Sequence, residues 1–320
     1  MRRVSAKAHA NIALVKYWGK KDEDLILPYN NSLSLTLDAF YTITRVSQAK
    51  EDCFILNGQV QTGEIYSDMI DYIDLFRKRS KIKDAILIES KNYFPTAAGL
   101  ASSASGFAAL ATALNAYFEL NMKQKEISIL ARRGSGSASR SIYGGLVEWL
   151  QGDDDLSSYA VKVDPANFDI GMLAVIIDDK EKMIKSRAGM KQTVATSPYY
   201  SVWVETAQQD IEAIKKAIKN QNVHAIGRIA EHSALKMHAT MLTTKPAIMY
   251  FQDLTMKVLH TVYALREEGV TAYFTMDAGP NVKIITTLED KDKIIDKLSE
   301  FIDKDALIYS GVGPDAKLID

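Results

Sequence analysis

The segment at 94–105, FPTAAGLASSAS, constrains this chain more than any other. It follows an extended apolar run, DAILIES at 84–90, and opens into a long Ala-rich helical pattern from Gly106. A strand, a small-residue loop and a helix start in that order make a backbone that can close on an anion. Small residues such as Pro95, Gly99 and Ala101, with Leu100 between them, let a ligand come near the main chain. The first N–H groups of the helix, at the positive end of its dipole, then face that ligand. Ser102, Ser103 and Ser105 add hydroxyls suited to phosphate oxygens or to Mg²⁺, with Ser102 the candidate for the metal. No Gly-Lys-Ser/Thr follows at Walker A spacing. The plain alternative is a Ser/Ala-rich cap before a buried helix.

The rest of the chain bounds what such a cradle can belong to. The 320 residues suffice for about two domains. With 47% hydrophobic and 25% charged residues, the composition is that of an ordinary globular protein. Thirty-nine Lys+Arg against 40 Asp+Glu leave a net charge of -1, which argues against nucleic acid as a partner but leaves room for a local cationic pocket. The single cysteine, Cys53, excludes an intrachain disulfide and favours a cytoplasmic setting. It sits in a strand-like run and reads as a core filler. The sequence predicts no signal peptide, and its apolar stretches are too short or interrupted to span a membrane. The five histidines show no zinc spacing.

Period-two patterns predict strands at 4–18, 32–37, 41–47, 54–60 and 84–90, with a hairpin at Asn57-Gly58. A helix at 64–80 places Ile65, Met69, Ile73 and Phe76 on one stripe. Helices follow at 102–119 and 124–133, and strands at 144–150 and 169–178. The acidic segment 151–158 reads as a solvated turn. The domain change is expected near residue 180, giving domains 1–180 and 181–320. Helices at 200–220, 222–240 and 246–268 precede a strand pair at 271–276 and 281–287, a helix, and a last strand at 306–310. The fold class is α+β, and the second half reads as an α/β sandwich lobe.

Two further stretches carry chemistry. GSGSASR at 134–140 exposes backbone N–H groups and hydroxyls to an anion. Its Arg140 can grip a carboxylate through two parallel hydrogen bonds. MDAGPN at 276–281 puts Asp277 in a tight turn between strands. There it either stabilises the turn or serves as an acid-base group.

Four segments together, NIALVKYWGK (11–20), the loop at 94–105, GSGSASRSIYGGLVEW (134–149) and FTMDAGPNVK (274–283), are similar to those of the mevalonate diphosphate decarboxylase branch of the GHMP kinase superfamily. The resemblance runs nearly end to end. It implies a ribosomal-protein-S5-like N-terminal domain and a ferredoxin-like C-terminal lobe. It also implies ATP and Mg²⁺, mevalonate 5-diphosphate as substrate, and a homodimer. The implied reaction is phosphorylation of a tertiary hydroxyl, then loss of phosphate and CO₂ to give isopentenyl diphosphate. By the same resemblance Asp277 is the catalytic carboxylate and Arg140 holds the substrate carboxylate. Ser135, Gly136, Ser137, Ala138 and Ser139 line the substrate. Tyr17, Trp18, Gly19 and Lys20 hold its diphosphate, although Trp18 also reads as core. Ser186 and Arg187 reach the diphosphate from the second domain. Position 188 is Ala and position 185 Lys, where relatives often carry Asp and Ser. Lys180, Lys182 and Lys185 read equally as pocket or solvated face, and the basic run 77–83 as solvated. Rival readings are a kinase that stops after phosphorylation, a decarboxylase of the monophosphate, and a non-catalytic sensor.

Overall fold

The structure, a computed structural model, describes residues 2–94, 102–178 and 184–319. Its first element, β1 (Arg3–Val15), buries Ala6, Ala8, Ala10, Ile12 and Leu14 by simple alternation. A small hairpin, β2 (Lys20–Asp22) with β3 (Leu27–Pro28), stands off the end of β1. The stretches 32–37 and 41–47, expected as two strands, are one long strand, β4 (Ser32–Gln48). It pairs along nearly all of β1, from Val15↔Leu33 to Arg3↔Ser47. The break in its pattern at Asp38 and Ala39, both exposed, is absorbed by a register shift between His9 and Asn11.

The hairpin of β5 (Cys53–Leu56) and β6 (Gln59–Val60) turns on Asn57 and Gly58 with φ of 50° and 81°, the positive pair that a two-residue turn needs. Helix α1 (Gly63–Arg77) buries Met69, Ile73 and Phe76, while Ile65, expected on the same stripe, is exposed. Next come β7 (Ile86–Tyr93), α2 (Ser102–Tyr117), α3 (Gln124–Gly134), a 3₁₀ stretch (Gly136–Ile142), β8 (Leu146–Trp149) and β9 (Ala160–Asp164). The first sheet runs β14-β1-β4-β7-β5-β6, with β8 and β9 continuing beside the first half of β4. Helices α1–α3 cover one face of this sheet around Ala108, Ala111, Leu114 and Tyr117.

The second sheet is antiparallel, β11-β12-β10-β13, built from β10 (Gly171–Val175), β11 (Tyr273–Met276), β12 (Val282–Thr286) and β13 (Leu307–Ser310). The sheets therefore exchange chain across residue 180. β10 pairs in the second sheet, and β14 (Lys317–Ile319) returns to the edge of the first. Between the sheets lie α5 (Tyr200–Lys219) and α6 (Val223–Leu242), whose Ile211, Ile214, Ile226 and Ala230 meet Leu14 and Leu35 on one side and Tyr273 and Ile285 on the other. Helices α7 (Asp253–Glu267) and α8 (Lys291–Leu298) cover the outer face. The helix expected from 246 begins only at Asp253, after an irregular stretch at 246–252. Strands β9 and β14 and the helix α4 (Ser186–Thr196) have too short or too mixed a pattern for periodicity to reveal.

Candidate active site

The site begins where β1 ends. Gly19 has φ of +105°, and a Cβ there would lie 2.0 Å from the Tyr200 hydroxyl, so the bend requires glycine. The bend sends neighbouring side chains to different tasks. Lys16 is 1% exposed and its Nζ lies 2.9 Å from Asp277 Oδ1. The Tyr17 ring packs edge-on against Trp149, and its buried hydroxyl has no hydrogen-bond partner among the described residues. Burial raises its pKa, so the phenol stays a donor. Trp18 donates from Nε1 to Thr193 at 3.0 Å and packs with Tyr200, Trp203 and Met237. Lys20 donates to Glu23 at 2.7 Å.

Arg140 is buried on the 3₁₀ stretch that follows α3. Its Nε donates to Asn11 at 3.2 Å and Ser34 at 3.1 Å, and its Nη1 to Ser32. All three hydrogen-bond partners are neutral, and the charge of the nearby Asp277 favours the guanidinium's charged form. Burial pushes its pKa down to about 10, which still leaves it charged at neutral pH. Gly136 allows the close packing here, since a Cβ would meet the Trp149 ring at 2.6 Å. Ala138 and Ser139 do not join the lining. Both are fully buried, and Ser139 Oγ donates back to Gly136 O at 2.7 Å.

Asp277 follows β11 in the turn to β12, with its side chain 36% exposed. Lys16 holds one oxygen, and Lys283 lies 3.6 Å from the other. His238, from α6, is buried nearby, and burial and then Lys16 lower its pKa to about 4, so it is neutral above that pH.

These groups surround a cavity of about 310 Å³ lined by Lys16, Tyr17, Lys20, Ser137, Arg140 and Asp277. Ser135, Gly136, Ser186, Arg187 and Trp18 complete its wall. A second cavity, about 690 Å³, adjoins it and shares Lys20, Ser103 and Arg187. Its floor is apolar, with Phe54, Leu56, Met69 and Tyr72, and Ser102 and Ser103 at the start of α2 stand on its wall. Ser105 is turned away from both. Its hydroxyl is fully buried, 2.8 Å from Thr42 Oγ1, and is spent on joining α2 to the sheet. The loop residues Pro95, Gly99, Leu100 and Ala101 lie outside the described residues, as do Lys180 and Lys182.

The donor set fits a polyphosphate. The unpaired Tyr17 hydroxyl, the ammonium of Lys20, Arg187 and the α2 start converge from both parts of the chain. No group of three or more metal-ligating side chains occurs among the described residues. A nucleotide's phosphates commonly carry Mg²⁺ with only one or two protein oxygens, and Ser102 has a hydroxyl on the wall of the larger cavity.

Sequence reading missed Lys16, Lys283, Asn11 and His238. The signal for the two lysines was present. Lys283 is buried within β12 and Lys16 is buried just past the end of β1, in apolar runs where an unpaired lysine is rarely tolerated. For Lys16, however, that partner comes from the other sheet, whereas Lys283 meets it across the turn that joins β11 to its own strand.

A two-lobed α+β fold with an anion-binding helix start, a cationic cleft and one carboxylate facing it defines a phosphoryl-transfer enzyme for small molecules. Comparison with known proteins narrows this. Residues 8–160 match the diphosphomevalonate decarboxylase-like N-terminal domain, and 172–312 the mevalonate 5-diphosphate decarboxylase C-terminal domain. The chain belongs to the diphosphomevalonate decarboxylase family. It is 37% identical to the diphosphomevalonate decarboxylase of Candida albicans, over 93% of this chain and 88% of that protein. The human diphosphomevalonate decarboxylase is 34% identical, over 97% and 81%. The mevalonate diphosphate decarboxylase structure from Staphylococcus aureus superposes with a TM-score of 0.95 at 43% identity, covering 100% of this chain and 98% of that one. A structure of MDDEF in complex with MVAPP, AMPPCP and magnesium superposes with a TM-score of 0.93 at 42% identity, covering 99% of each chain.

Proposed function

We propose that the protein catalyses the ATP-dependent decarboxylation of mevalonate 5-diphosphate to isopentenyl diphosphate, with ADP, phosphate and CO₂ as the other products. The observation that carries the residue roles is the shared cavity. Asp277, Arg140, Tyr17, Lys20 and Arg187 face one space of about 310 Å³, open to a larger one beside the start of α2. The larger cavity takes ATP, with its apolar floor under the base and Ser102 and Ser103 beside the phosphates. The smaller takes the substrate. Lys20, Arg187, Ser186 and the Tyr17 hydroxyl bind its diphosphate, and Arg140 grips its carboxylate. Ser102 would help to hold Mg²⁺ beside the ATP phosphates, where the ion would supply neutralising charge when bound.

Asp277, steadied by Lys16, accepts the proton of the tertiary hydroxyl as that oxygen takes the γ-phosphoryl group of ATP. The C–O bond to the new phosphate then breaks. The electron pair of the carboxylate C–C bond forms the double bond, CO₂ departs, and Arg140 releases it. The nucleotide seat belongs to the first part of the chain, up to about residue 180. The second part brings Asp277, Ser186 and Arg187, so catalysis needs both. Among the described residues no helix is long and apolar enough to cross a membrane. We place the enzyme in the cytoplasm as a homodimer, the first on its cysteine usage and the second by family.

The test is incubation with ATP, Mg²⁺ and mevalonate 5-diphosphate, with products identified by mass. ADP, phosphate, CO₂ and isopentenyl diphosphate should appear in equal amounts. A phosphorylated product that keeps its carboxylate would sink the lyase in favour of a kinase. A parallel reaction with the 5-monophosphate should be much slower, since it leaves one phosphate's worth of donors unused.

A further inference from the structure

We propose that Lys283 is a positioning residue for Asp277, acting on the reaction only through that carboxylate. The proposal rests on the reading above and deepens it. Lys283 sits within β12, opposite Thr275 of β11, and its side chain is 3% exposed. Its Nζ lies 3.6 Å from Asp277 Oδ2 and donates to the carbonyl of Asn281 at 3.3 Å. Lys16, by contrast, holds Oδ1 and lines the substrate cavity. Lys283 lines neither cavity; it stands behind the carboxylate.

The lysine thus closes the turn from Asp277 to Asn281 from within. Asn281 is itself fixed, accepting from the N–H groups of Ile177 at 2.7 Å and Asp178 at 3.0 Å. Thr255 donates to Pro280 O at 3.0 Å. With the turn tied at these points, two cations on opposite oxygens oppose rotation of the carboxylate. A base must present a lone pair to the hydroxyl within a narrow cone, so this restraint bears directly on rate. Packing alone does not call for a lysine here. Lys283 is itself buried, and an apolar side chain in its place would avoid the desolvation cost of a buried ammonium. Among the described residues Asp277 is the only carboxylate within 4 Å of it.

Among the described residues, the titratable and charged groups facing Asp277 include Lys16 just past β1, Lys283 from β12, His238 from α6 and Arg140 from the 3₁₀ stretch. Removing Lys283 takes away one nearby cation, so the carboxylate should protonate at higher pH.

The experiment compares wild type, K283M and K283Q, each also on a D277N background, with unfolding checked by circular dichroism. For K283M we expect kcat for mevalonate 5-diphosphate to fall at least about tenfold with KM within about threefold, while the acid limb of kcat moves up by about one pH unit. On the D277N background the same change should cost less than about twofold, because the group it serves is gone. An unchanged kcat, an unmoved acid limb, or an equal loss with and without Asp277 would overturn the proposal. K283Q supplies the same readouts if K283M does not fold. Failure of both to fold would make the lysine a structural prop and also overturn it. If wild type itself releases no CO₂, the reading of the site falls and takes this inference with it. If wild type is active and the variants behave as it does, only the positioning role is lost.

Discussion

At Asp277 a partly exposed carboxylate is gripped by a fully buried lysine 2.9 Å away, and this contact ties the first lobe to the second. Replacing it by asparagine keeps the shape and removes the base. Asp277→Asn should leave nucleotide affinity near wild type and cut turnover by far more than tenfold, which corresponds to about 1.4 kcal/mol. Steady-state turnover beside a nucleotide titration checks this, and turnover within tenfold would remove the base role. His238 makes a different prediction. Its folded pKa of about 4 lies below the ordinary imidazole value, so between the two the unfolded chain binds more protons. The stability it contributes is full above pH 6.5 and is lost as pH falls towards 4. Between pH 7 and pH 5 it should cost about 2 kcal/mol, seen as the part of the fall in denaturant stability that His238→Gln abolishes. An identical fall in both proteins would show that other groups carry the pH dependence.

Elements supply what single residues cannot. Helix α2 was read correctly as a helix, but its serines were read as one set. The helix separates them: Ser102 and Ser103 face the larger cavity, whereas Ser105 faces the sheet. Ser105 is two residues past Ser103 and so lies on roughly the opposite side of the helix, where β4 meets it through Thr42. Ser105→Ala should therefore lower stability by about 1 kcal/mol through the lost bond to Thr42, whose hydroxyl still donates to Asn92, with ATP affinity unchanged. Thermal unfolding and a nucleotide titration distinguish this from a ligand contact, which would weaken ATP and spare the Tm. The segment GSGSASR splits in the same way. Gly136, Ser137 and Arg140 face the cavity, while Ala138 and Ser139 close the 3₁₀ stretch from inside.

Across the whole molecule, the layer formed by α5 and α6 is shared between both sheets. Ile214 is fully buried in a cluster that contains Leu35 of the first sheet and Tyr273 of the second. With so much core in common, the lobes should unfold together. Ile214→Ala should cost about 2–5 kcal/mol and leave a single calorimetric transition at lower temperature. Two separated transitions would show that the lobes hold themselves up independently. The sequence by itself determined the α+β class, most elements with strong periodicity, the helix that starts at Ser102, and the residue types at 17–20, 135–140, 186–187 and 277. These are local properties, set by period, turn chemistry and functional groups along a short stretch. Only the tertiary structure decided that Lys16 and Lys283 bracket Asp277, that β10 and β14 cross between sheets, and that Ser105 and Ser139 turn inward. Lys16 and Asp277 lie 261 positions apart, and Ser105 meets Thr42 on another element, so no local pattern encodes who those partners are.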